Sequence, residues 1–184
     1  MASVPRTAIL ADMAVGFGGS LLGLGVDSGW YQAVLVVHLA SAVVGFGGST
    51  VGTVMLRRAW ADGPDAAAAV RRSFEFASNR LIDVAAYLAG IAGVVAVIIG
   101  PWNFRQDWVT LAFVLYFAWL AIAHGALRPT GVKLAAALEA AAPQSSSERA
   151  GDVERLRRRS ELWSALSNLV IVAAIVVMVV KPNW

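Results

Sequence analysis

The stretch W-Y-Q-A-V-L-V-V-H-L-A-S-A-V-V-G-F-G-G-S-T-V-G-T-V-M-L, residues Trp30–Leu56, carries no Asp, Glu, Lys or Arg from end to end. A helix rises about 1.5 Å per residue, so about 20 apolar residues cross the roughly 30 Å hydrocarbon core of a bilayer. Within lipid every backbone polar group must be satisfied internally, and an isolated segment of this length can do that only as a helix. Three further stretches read the same way: Leu81–Trp102, Trp108–Leu127 and Leu162–Val180. They imply an all-α integral membrane helical bundle, a single transmembrane domain with four spanning helices. Thr7–Val26 is apolar but glycine-rich and carries Asp12. It is expected as a further embedded segment, either a fifth span or one lying in the interface.

Composition supports this reading. The chain is 58% hydrophobic and 15% charged, with a mean hydropathy of +0.66. Soluble domains are typically about 45–50% apolar and about 25% charged. The absence of cysteine removes disulfides, thiolate metal sites and thiol catalysis. The sequence pI of about 9.8 raises nucleic acid as a partner, but the positions of the basic residues argue otherwise. Twelve of the fifteen fall at 57–80 or 128–161, the two connections on one side. The positive-inside rule makes those connections cytoplasmic and leaves the C-terminus outside. Trp30, Trp102, Trp108 and Trp184 all fall at the outer interface, where amphipathic rings prefer to sit. The basic balance therefore reports topology and attraction to membrane lipids, with no nucleic-acid role.

Both connections read as helical. Asp65 follows Gly63-Pro64 as an N-cap, and the helix after it can run unbroken into the second span. Val132–Ala142 is an alanine-rich amphipathic stretch stopped by Pro143. Gln144–Gly151 reads as a linker. Glu154 lies four residues before Arg158, a solvated-face pattern.

V-G-F-G-G-S occurs twice, at Val15–Ser20 and at Val44–Ser49. Gly19 and Gly23, and likewise Gly48 and Gly52, have G-x-x-x-G spacing, and Gly16 and Gly45 occupy equivalent places in the two copies. Ser41, Gly45 and Ser49 form a second small-residue ladder. Small residues at this spacing let helices approach closely in lipid. Neither copy matches a phosphate-binding loop, since Leu21 and Thr50 stand where G-x-G-x-x-G needs its last glycine. Helix packing is the preferred reading.

Ionisable groups inside spans are functional candidates by default. His38 lies in the outer half of the first span and His124 near the cytoplasmic end of the third. The rise per residue puts them roughly 20 Å apart in depth, too far for one shared iron. His38 reads either as a helix–helix hydrogen bond or as a group for ligand or proton chemistry, a haem iron being the ligand case. His124 is expected as a structural polar group bonded to Asn168 or Ser164. Asp83 is expected to pair with Arg80. Tyr116 and Trp119 read as core. No catalytic constellation is readable, which leans away from an enzyme.

V-L-V-V-H-L-A-S-A-V-V-G-F-G-G-S-T-V resembles the first helix of a bacterial family of predicted integral membrane proteins of unknown function. The ending V-V-M-V-V-K-P resembles that family's last span. The resemblance covers Trp30 to Pro182. The family looks like a distant relative of the copper-resistance D proteins and of the four-helix haem-containing protoporphyrinogen oxidases. It implies a ligand role for His38, which matches the first-helix histidine of the haem-containing relatives. Lys181 is a weaker match to a lysine used near the membrane surface. Two functions follow as expectations. One is an accessory or structural subunit of a larger membrane complex, held by its glycine and serine faces to other subunits or to itself. The alternative is a b-type haem or copper-binding membrane protein. A small transporter ranks below both, because the spans offer few polar groups.

Overall fold

The computed structural model describes residues 25–140 and 147–182. Within them are four helices long and apolar enough to cross a membrane, and no strand. Helix α1 is Gly29–Asp62, α2 is Pro64–Ile99 and α3 is Asp107–Leu138; α4 is Ser147–Val180. The segment expected at 7–26, with Asp12, Gly16, Gly19 and Gly23, lies outside the described residues save for its last two.

The helices outrun their apolar segments at the arginine-rich end. Between α1 and α2 the chain reverses at Gly63, whose φ of 116° and ψ of 171° suit only glycine. Pro64 takes the first helical position, where its missing N–H costs nothing. Asp65, expected as the N-cap, sits inside the first turn instead, where its charge meets the helix dipole. The chain from Pro64 to Ile82 then packs beside α1 rather than standing away from it. Likewise α3 continues past Pro129 with no break at the end of its apolar segment. The widened π-helical turn at Ala123–Leu127 comes just before that proline and accommodates the lost backbone hydrogen bond. The linker expected at Gln144–Gly151 is partly overturned, because α4 already includes Ser147–Gly151.

Helix α1 packs on α2 and α3 on α4, and the two pairs close into a bundle. Its centre takes one side chain from each helix: Phe46, Ala86, Trp119 and Ile171. Phe46 and Trp119 meet edge to face with ring centres 4.8 Å apart. Ala85, Ala86, Ala89, Ala92 and Ala96 form the buried stripe of α2. Such a stripe has little side chain to hold two backbones apart, which is how helices associate where lipid supplies no hydrophobic drive.

Candidate functional site

Polar groups collect at two levels. At the tryptophan-rich end, Trp102 Nε1 donates to Tyr31 Oη at 2.8 Å. Lys181 Nζ lies 3.9 Å from the centre of the Trp102 ring and 5.4 Å from that of Trp108. The lysine is thus held by two aromatic faces. Two helical turns further in, His38 Nδ1 lies 2.8 Å from the backbone oxygen of Ala89 on α2. A carbonyl can only accept, so the proton of a neutral His38 ring is on Nδ1 and the Nε2 lone pair is free. Among the described residues nothing hydrogen-bonds to Nε2. Gly93 makes room for the ring: a Cβ there would lie 3.2 Å from His38 Cε1.

Seven residues of α1 separate Tyr31 from His38, roughly 10 Å of axis. Lys181, fixed at the level of Tyr31 through Trp102, is therefore apart from the histidine. The two histidines are also apart. His38 faces Gly93, whereas His124 Nε2 lies 2.9 Å from Tyr87 Oη. Gly93 and Tyr87 are about 9 Å apart along α2. That is roughly half the separation expected from the sequence, and still too far for two ligands of one iron.

The second level lies at the arginine-rich end. Three π-helical turns, Val43–Gly47, Ser78–Ile82 and Ala123–Leu127, interrupt α1, α2 and α3. The second copy of the glycine motif meets α2 here. A Cβ on Gly45 would lie 2.9 Å from Ala86 N, one on Gly48 3.1 Å from Ile82 Cγ1, and one on Gly52 would overlap the Phe74 ring. Thr50 Oγ1 sits 3.0 Å from Phe46 O and 3.1 Å from Asn168 Oδ1, which ties α1 to α4. Asn168 thus serves Thr50, and the partners of His124 are Tyr87 at Nε2 and Arg128 at Nδ1, not the Asn168 or Ser164 expected. Asp83 pairs with Arg128 across to α3 at 3.3 Å, not with Arg80 on its own helix. Arg80 instead lies over the Phe76 ring.

A cavity of about 100 Å³ opens among these elements. Arg71, Glu75, Asp83, His124 and Arg128 line it, with Thr53 on α1 and Ser160 and Ser164 on α4. Arg71 is folded inward against α3, where a Cβ on Gly131 would overlap its guanidinium. Its Nε is buried with no partner among the described residues. Sequence reasoning counted Arg71 only as a topology charge and passed over Glu75. The signal was present: Arg71, Phe74, Glu75 and Ser78 recur at i, i+3, i+4 and i+7, one face of a helix. Outside this cluster, on α4 before its apolar segment, Arg157 and Arg158 donate hydrogen bonds to Glu154. Those bonds push its carboxyl down to about 2 from 4.5.

Residues 32–182 match the family described as "Predicted integral membrane protein (DUF2269)". No curated protein and no solved structure matches the chain.

Proposed function

We propose, for a chain that belongs to this family of predicted integral membrane proteins, that His38 is the protein ligand of a b-type haem. One observation carries the reading: the Ala89 carbonyl fixes the His38 tautomer and leaves the Nε2 lone pair free, on a residue that is partly exposed. A backbone acceptor on the far nitrogen is the usual way a ligating histidine is oriented. Among the described residues no cluster of three or more His, Cys, Asp or Glu forms a self-contained metal site. That favours a macrocycle, which brings its own equatorial nitrogens, over a protein-caged copper. A haem on Nε2 would supply one-electron transfer. The protein's part is to orient the ring and surround it with lipid and apolar side chains. Lys181, held by Trp102 and Trp108, anchors the end of α4 in this reading. The orientation that fits the arginines is a bacterial inner membrane with the C-terminus and His38 toward the outside.

The test is the visible spectrum of the protein purified from haem-replete native membranes. A Soret band should be present, vanish in His38→Ala and persist in His124→Ala. A band that survives His38→Ala would remove His38 as the ligand. A colourless wild-type protein would remove the haem.

A second reading, an accessory subunit of a larger membrane complex, is favoured by the exposure of α1. Only 11% of its most apolar window is buried, against 39% for α2. The glycine face of α1 is turned onto α2, so a partner would meet the flank at Val36, Val43 and Val51. A stoichiometric partner co-purifying with a colourless protein, and lost on Val43→Trp, is the expected outcome of this reading.

A further inference from the structure

We infer that the cavity at the arginine-rich end binds a small zwitterion, one oxyanion and one ammonium a few ångströms apart, as in a phosphoethanolamine headgroup. The inference stands apart from His38, which is at another level of the bundle. Among the groups that line the cavity, Asp83 already has Arg128 and His124 already has Tyr87. Arg71 and Glu75 are left. They lie one turn apart on the same face of α2, close enough to pair. Yet among the described residues neither forms an ion pair, with the other or with any third group. Arginine before glutamate is the less favourable order for such a pair. A cation and an anion that line one cavity without joining each other present a dipole to whatever enters.

Arg71 strengthens this, because it is half-buried and its Nε is enclosed with no partner among the described residues. Taking a guanidinium out of water is costly unless it gains a charged, hydrogen-bonding partner. Here two glycines are spent on admitting side chains of α2, Gly131 under Arg71 and Gly52 under Phe74. A phosphate suits Arg71, because a guanidinium fork matches its oxygens in pairs. An ammonium suits the Glu75 carboxylate. Thr53, Ser160 and Ser164 add hydroxyls around them. A bare anion is disfavoured because Glu75 faces the same space. The volume admits several waters or one small polar group. Leu56, the last apolar residue of the stretch that opened the sequence reading, shares the wall with Arg71. The cavity therefore runs from the Trp119 level of the bundle out to interfacial depth, where lipid headgroups lie. The same chemistry could also come from free phosphoethanolamine.

The experiment is native mass spectrometry of the detergent-purified full chain with phosphatidylethanolamine, phosphatidylglycerol, inorganic phosphate and free phosphoethanolamine. Phosphatidylethanolamine should be retained one to one and phosphatidylglycerol should not. Glu75→Gln, at a partly exposed position, should weaken retention about tenfold or more, the scale of one lost charge-assisted contact. Arg71→Gln should do the same, and Glu75→Gln keeps the test open if the Arg71 variant does not fold. Competition by free phosphoethanolamine assigns a soluble source, and retention of the lipid alone assigns the membrane. Equal retention of phosphatidylglycerol or phosphate, or no loss in Glu75→Gln, overturns the zwitterion. So does failure to retain any of the four.

Discussion

Two glycines of V-G-F-G-G-S, two residues apart on α1, should respond to the same substitution with opposite signs. A Cβ added to Gly45 would lie 2.9 Å from Ala86 N, 3.1 Å from its Cα and 3.3 Å from its Cβ. Two of those atoms are backbone, and Ala86 is only 1% exposed, so the neighbour cannot swing aside. The α1–α2 pair must open by a few tenths of an ångström, at an overpacking cost of about 1–3 kcal/mol. A Cβ added to Gly47 meets nothing within 4 Å. Gly47 has helical φ and ψ of −63° and −44°, so alanine there gains about 0.5–1 kcal/mol from lower backbone entropy in the unfolded chain. That gain is common to both sites and cancels between them. The difference between Gly45→Ala and Gly47→Ala therefore isolates the steric cost, about 1–3 kcal/mol, or roughly five- to 150-fold in the unfolding equilibrium. Equilibrium unfolding in mixed micelles titrated with a denaturing detergent measures it. Adding Ala86→Gly to Gly45→Ala should restore only part of the loss, because the 2.9 Å clash is with the Ala86 nitrogen. A Gly45→Ala protein as stable as Gly47→Ala would refute the claim that this face is closed by backbone contact.

Thr50→Val keeps the shape of the side chain but leaves Asn168 Oδ1 without the hydroxyl 3.1 Å away; it should cost about 0.6–1.5 kcal/mol in the same assay, and an unchanged midpoint would show that α1 and α4 are not coupled there. Glu154 has its folded-state carboxyl lowered by its arginines, so its contribution to the start of α4 is present above pH 4.5 and is lost as pH falls from 4.5 toward 2. Helicity by circular dichroism should fall across that window at low salt, and Glu154→Gln should flatten the change; a profile identical in the variant would contradict it.

Much of the architecture was legible because one term dominates it. Four apolar stretches of spanning length, three of them uncharged and the fourth with Asp83 at its edge, leave a chain in lipid little choice, and the arginines and tryptophans mark two ends. The azimuth of each side chain was not legible. Depth follows from counting residues, but facing follows from where a helix has turned by the time it reaches a residue. One inserted residue rotates everything after it by about 100°. Three π-helical turns insert such residues, at Val43–Gly47, Ser78–Ile82 and Ala123–Leu127, and the misjudged partners lie in or beside them. His124, within the third, turns to Tyr87 on α2 while Asn168 on α4 is taken by Thr50. Asp83, immediately after the second, turns from Arg80 on its own helix to Arg128 on α3. Asp65 was misplaced for a simpler reason, since Pro64 already occupied the position at which the helix starts. Arg71 was missed because a charge rule counts arginines by side and does not ask which face they take. Its inward course depends on Gly131, sixty residues away, which had no reason to stand out beside the repeated glycines. Helix interruptions, more than apolar periodicity, thus decide which polar groups meet in this bundle, and all three interruptions border the arginine-rich cavity or the glycine face beside it. Widened turns of this kind cost hydrogen-bond geometry and are found mostly where function needs a side chain re-aimed. Two of them, Ser78–Ile82 and Ala123–Leu127, line the arginine-rich cavity, which marks that end as a place where this fold departs from what helix packing alone requires.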